Sequence, residues 1–99
     1  MTAFVLSEVK ILDPESVARY KQEAPASIAK YGGSYLARDA IPAAFEGKFD
    51  PAERIVLISF PTEEAARTWY RSREYQAAID TANGALQRRL FLFLGLDAL

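Results

Sequence analysis

The sequence predicts an α+β fold: a four-stranded antiparallel sheet with helices on one face, in the order β-α-β-β-α-β. Three observations lead there. Segments 3–11, 34–38, 53–60 and 88–95 are strand-like apolar runs. The first and third are each followed by a capped stretch with apolar residues at spacings of three and four, the mark of an amphipathic helix. Two strands, Arg54-Ile55-Val56-Leu57-Ile58-Ser59-Phe60 and Leu90-Phe91-Leu92-Phe93-Leu94, are apolar on both faces. Side chains alternate along a strand, so Val56, Ile58 and Phe60 oppose Ile55 and Leu57, and Leu90, Leu92 and Leu94 oppose Phe91 and Phe93. A sheet with one face in water shows polar residues there. The helices cover one face, so the other is expected to meet a second copy of the chain, about 10 Å away if two sheets stack.

Each element has its own local reason. In residues 3–11, Val5, Val9 and Ile11 share a face with Ala3 and Ser7, and Phe4, Leu6, Glu8 and Lys10 lie opposite. Its charged end is expected to reach past the covered part of the sheet. Asp13-Pro14-Glu15 starts a helix: a capping carboxylate, a proline suited to the first turn, and an acid at the positive end of the dipole. Val17, Tyr20, Ala24, Ile28 and Tyr31 form its apolar stripe. Pro25 removes one backbone hydrogen bond and predicts a kink or a restart. Gly32-Gly33 ends the helix, because glycine takes the left-handed cap conformation without strain. A short strand, 34–38, leads into a long connection, 39–52, that holds Pro42, Gly47 and Pro51. After strand 53–60, Thr62 caps a second helix with Glu63 and Glu64 in its first turn and Ala65, Ala66, Trp69 and Tyr70 on its apolar side. Ser72 caps a further short helix bearing Tyr75, Ala78, Ile79 and Ala82, which Asn83-Gly84 breaks before the last strand. This order is the ferredoxin-like plan, carried by residues 1–99 as a single domain.

Composition narrows the function classes. The chain has 99 residues, no Cys and no His. Disulfides, thiolate metal sites and cysteine nucleophiles are excluded. Also missing are the usual general base near neutral pH, the commonest metal ligand and the usual haem ligand. No metal and no cofactor is therefore expected. The net charge of -1 argues against nucleic acid, and the arginines at 67, 71, 73, 88 and 89 read as a solvated helix face and a strand start. No run approaches the about 20 apolar residues of a membrane helix. The N-terminus lacks a basic leader pattern, so a cytoplasmic protein is expected.

Several blocks resemble a known family: Asp13-Pro14-Glu15, Tyr31-Gly32-Gly33-Ser34-Tyr35-Leu36-Ala37-Arg38, Glu46-Gly47, Arg54 to Pro61, and Ala65 to Gln76 with its Trp-Tyr-x-Ser-x-Glu-Tyr-Gln pattern. Together they make the chain similar to the domain of unknown function 1330 family, within the dimeric α/β-barrel superfamily. The resemblance implies a ferredoxin-like subunit that pairs sheet to sheet as a homodimer, and it implies no established activity. Asn83-Gly84 departs from it, falling where many relatives look more basic and helical. The superfamily includes cofactor-independent monooxygenases of antibiotic biosynthesis, haem-degrading enzymes, muconolactone-isomerase-like enzymes and ligand-sensing domains. Fold kinship transfers none of these activities.

The candidate ligand-binding residues are Tyr35, Arg38, Glu46, Arg54, Trp69 and Tyr75, with Tyr70 beside them. Arg38 and Arg54, on neighbouring strands, can each grip a carboxylate with two hydrogen bonds. Glu46 can serve as a base, or pair with Arg54 and pin the long loop. A tyrosine hydroxyl can donate to a developing oxyanion. Trp69 is either a core anchor at helical spacing or the wall of a ligand pocket. Tyr70 and Tyr75 read as packing residues at the helix junction or the dimer edge, and Tyr35 closes a sheet end or an interface, or lines a site. Two functions follow. One is binding of a small organic, carboxylate-bearing molecule between sheet and helices, with cofactor-free chemistry. The other is a non-catalytic module for dimerisation or protein interaction.

Overall fold

A computed structural model describes residues 2–96 of the chain. It contains β1 (Ala3–Ile11), α1 (Pro14–Lys30), β2 (Ser34–Ala40), β3 (Glu53–Phe60), α2 (Glu63–Arg71), α3 (Arg73–Thr81) and β4 (Leu86–Leu94). The strands form one antiparallel sheet in the order β2-β3-β1-β4. This is the ferredoxin-like arrangement, with the first and third strands in the middle.

The helix ends follow from local chemistry. The Asp13 carboxylate accepts from the Glu15 and Ser16 amides, and the Thr62 and Ser72 hydroxyls accept from the Ala65 and Tyr75 amides. At the end of α1 the Gly33 amide donates to the Ile28 carbonyl and the Gly32 amide to the Ala29 carbonyl. That pairing needs the left-handed backbone of Gly32, at φ 83°.

Register assigns the strand faces. Ala3, Val5, Ser7 and Val9 stand opposite Phe60, Ile58, Val56 and Arg54 on β3, and opposite Leu94, Leu92, Leu90 and Arg88 on β4. This face packs under the helices, where Trp69, Tyr75 and Phe60 are the largest fully buried side chains. Phe4, Leu6, Glu8 and Lys10 lie on the other face with Ile55 and Leu57 of β3 and with Phe93, Phe91, Arg89 and Gln87 of β4. No helix among the described residues covers that face. Phe91 and Phe93 remain 46% and 47% exposed there. The charged end of β1 is tied down rather than free: Arg89 meets Glu8 at 2.9 Å and Lys10 meets Asp50 at 3.4 Å. In β4 the leucines therefore belong to the helix side and the phenylalanines to the bare side.

Three expectations change. α1 runs unbroken through Pro25. Proline leaves the carbonyl four residues earlier, Lys21, without its helical donor, and Arg38 Nη2 supplies one at 3.2 Å. β2 extends to Ala40, beyond the expected 38, by absorbing two register shifts and placing Asp39 at φ 52°. β4 begins at Leu86, two residues early, because Leu86 and Gln87 pair with Ile11 and Lys10.

Candidate functional site

Between α1 and the sheet lies a cleft with a cavity of about 60 Å³. Its floor is Ser7, Val56, Ile58 and Leu90, its roof includes Tyr20, Ala24 and Ile28, and its ends are closed by Tyr35, Arg38, Trp69 and Tyr75. The α1 stripe and the odd-numbered face of β1 supply much of the apolar wall. The polar groups converge at the ends.

One end is held by Arg38. By completing the Lys21 carbonyl that Pro25 leaves free, it ties β2 to α1 across the cleft mouth. Its guanidinium also stands 5.0 Å from the centre of the Tyr35 ring. Lys21 and Asp39 approach to 3.9 Å at the same mouth. Burial pushes the Tyr35 phenol upward in pKa, and the nearby Arg38 charge opposes that shift.

The other end carries a cluster that no local pattern announced. Arg88 Nη1 donates to the hydroxyl oxygens of both Tyr20, at 2.8 Å, and Tyr75. The two hydroxyls are 3.1 Å apart and share a hydrogen bond. The guanidinium lies 5.6 and 5.4 Å from the two ring centres. Burial is the largest influence on Tyr75 and pushes its pKa strongly upward. Tyr20 adds to the rise, and the Arg88 charge only partly offsets it. Tyr75 is therefore a neutral phenol at physiological pH, a hydrogen-bond donor rather than a base. Arg88 shows no carboxylate within 4.0 Å among the described residues, whereas its neighbour Arg89 is paired with Glu8.

Trp69 is a core anchor that also borders the cleft. It is 1% exposed and packs against Phe60 and Tyr75, with ring centres 5.3 and 4.1 Å away. Its indole N–H donates to Ser27 Oγ at 3.1 Å, and one edge of the ring lines the cleft. The Ser27 hydroxyl in turn donates to the Ala24 carbonyl at 2.7 Å, so this buried pair is fully satisfied. Tyr70 faces outward onto a separate groove of about 400 Å³ between α2 and β4, lined by Val5, Leu90, Phe91, Leu92 and the arginines at 67 and 71. That groove is larger but has no convergent buried polar groups, the feature that gives small-molecule sites their specificity.

Glu46 and Arg54 stand apart from the cleft. Glu46 is exposed in the connection between β2 and β3 and lines neither cavity. Arg54 Nη1 donates to the Pro51 and Glu53 carbonyls, at 2.9 and 2.7 Å, and so braces the turn before β3 instead of pairing with Glu46. The structure thus gathers Tyr35, Arg38, Trp69 and Tyr75 around the cleft and adds Tyr20, with Arg88 bonded to the two tyrosines from outside it. A signal for Arg88 existed: it is in phase with Leu86, Leu90 and Leu92, an arginine on a strand face otherwise apolar. Among the described residues no group of three or more acidic side chains is placed to hold a metal ion. Asp39, at the mouth, is the one carboxylate among the described residues that lines the cleft. The chemistry on offer is hydrogen-bond donation to an anionic oxygen beside apolar and aromatic walls.

A family model described as Domain of unknown function (DUF1330) matches residues 2–96. No curated protein matches the chain. Among solved structures, the RPA0582 protein of unknown function from Rhodopseudomonas palustris aligns with a TM-score of 0.77 at 17% identity, over 98% of this chain and 84% of that one. SnoaB, a cofactor-independent oxygenase from Streptomyces nogalater, aligns at 0.67 and 9% identity, over 99% and 96%. Rv0793 from Mycobacterium tuberculosis aligns at 0.64 and 14% identity, over 99% and 98%. At these identities the likeness is one of fold.

Proposed function

The chain belongs to the family described as Domain of unknown function (DUF1330), and on that footing we propose that it binds a small, carboxylate-bearing organic molecule in the cleft between α1 and the sheet. The observation that carries this reading is the pairing of apolar walls with the Tyr20 and Tyr75 hydroxyls, which Arg88 holds from outside the cleft. Any chemistry there is cofactor-free, with a neutral phenol stabilising negative charge on a ligand oxygen. The fold likeness to a cofactor-independent oxygenase is in keeping with that possibility. The protein works as a homodimer in the cytoplasm. The two copies bring together the sheet faces that hold Phe91, Phe93, Leu6 and Leu57. No helix among the described residues is long and apolar enough to cross a membrane.

A second reading, a module for assembly alone, is favoured by that same exposed aromatic face. Thermal shift against a panel of short acids and small aromatics separates the two. A ligand at ten times its dissociation constant stabilises the fold by about 1.4 kcal/mol. For a domain of this size that raises the melting temperature by roughly 6 to 11 °C. A rise with any member of the panel supports the binding reading. A flat panel overturns it and leaves the assembly module.

A further inference from the structure

We infer that Tyr20 and Tyr75, charged from behind by Arg88, recognise the carboxylate of a short organic acid of about four to six non-hydrogen atoms. This deepens the proposed function and rests on it.

The first support is a count of hydrogens. Arg88 Nη1 gives an N–H to each phenol oxygen, and one phenol gives its O–H to the other. The second phenol has accepted twice and still holds its own O–H, for which the described residues provide no acceptor. Both tyrosines line the cleft, so a ligand there can meet the remaining donor. A donor left over in the wall of an apolar cleft favours an acceptor there.

The second support is charge. Arg88 is partly buried, and its side-chain hydrogen bonds go to two tyrosine hydroxyls rather than to a carboxylate. Other arginines of this chain, Arg19, Arg67 and Arg89, each meet a glutamate. Arg88 also lines an open groove of about 250 Å³ with Tyr20 and Leu86, so its charge is hydrated on that side, and an anion bound one hydrogen bond away on the other side is attracted to it. Arg88 touches the phenols rather than the ligand and acts as a positioning residue. Tyr75 stays protonated over the physiological range, because burial raises its pKa, so it meets the ligand as a donor.

The size follows from the cleft. Its 60 Å³, at about 10–15 Å³ for each water-sized position, holds about four to six such positions. Trp69, Ile28 and Ile58 then surround a short hydrocarbon tail.

Calorimetric titration of the full chain with butyrate and with its neutral isostere butyramide tests this. Butyrate is expected to bind at least tenfold more tightly than butyramide. Tyr75→Phe and Tyr20→Phe each remove a hydroxyl with little change in volume; the variant that takes the free O–H loses a hydrogen bond to a charged group and lowers butyrate affinity about ten- to a hundredfold, and the other variant lowers it less. Arg88→Met, with its fold checked by circular dichroism, is expected to erase the preference for acid over amide. Butyrate affinity in the parent protein should stay level between about pH 6 and 9, where the ligand is ionised and Tyr75, its pKa raised by burial, is not. Equal binding of butyrate and butyramide overturns the carboxylate assignment and leaves the cleft a binding site. Binding only of larger aromatics does the same. Failure of every small molecule in the cleft overturns this inference together with the function beneath it.

Discussion

Replacing Phe91 by threonine tests the bare sheet face while keeping a residue that favours strands. Phe91 pairs with Leu6 on the face no helix covers, and its ring lies beneath Arg89 at 5.2 Å. It is 46% exposed, and a phenylalanine presents about 200 Å² in all. About 90 Å² per copy is therefore left for a partner, worth roughly 2 kcal/mol at about 25 cal/mol per Å². In a two-fold dimer the substitution occurs twice, for a loss of roughly 4–5 kcal/mol and a dimer dissociation constant about a thousandfold higher. Sedimentation velocity across a dilution series reads this directly. The parent should remain a dimer at micromolar concentration, with Phe91→Thr dissociating over the same range. Leu92→Thr, on the helix-facing side, should lower stability and leave assembly intact. A monomeric parent, or a Phe91→Thr protein that associates as tightly as the parent, refutes the reasoning.

Two further predictions concern the frame around the cleft. Ser27→Ala strands the buried Trp69 indole N–H and should cost about 1–3 kcal/mol, lowering the melting temperature by roughly 4–8 °C per kcal/mol. An unchanged melting curve would mean that the pair contributes nothing. Glu74 accepts from Lys30 Nζ and from the Tyr31 hydroxyl, each at 2.8 Å, and the Lys30 and Tyr31 hydrogen bonds hold its carboxyl down to about 2 from 4.5. Between these values the unfolded chain binds a proton that folded Glu74 refuses, so its contribution to stability is complete above pH 4.5 and disappears as pH falls through about 2. Glu74→Gln should flatten that part of a stability-versus-pH curve measured by urea unfolding. Parallel curves would show that Glu74 does not drive it.

What was legible in the sequence was local or periodic. Asp13, Thr62 and Ser72 announce helix starts because each cap acts within three residues. Alternation in β3 and β4 gives two apolar faces, although only the ladder with β1 shows that the phenylalanines are the outward set. The rest depends on distant partners. Pro25 marks a break in any local reading, and the helix continues because Arg38, on another element, satisfies the orphaned carbonyl. Arg38 drew notice as a ligand-binding arginine, and its observed contact holds two elements together. β2 outruns its expected end through register shifts that no single residue reveals. Tyr20 reads as one member of a helix stripe, Tyr75 as a junction residue and Arg88 as a strand start. Their meeting spans 68 positions from Tyr20 to Arg88. Glu46 carries suitable chemistry, and its loop holds it away from the cleft.

The central claim is that the cleft under α1 holds a short acid by its carboxylate. Anomalous diffraction from crystals grown with 3-bromopropionate tests it most directly. The account predicts a bromine peak between Trp69 and Ile28, with the carboxylate against the Tyr20 and Tyr75 hydroxyls. Bromine found only in the outer groove beside Tyr70 and Arg71, or nowhere on the protein, would contradict it.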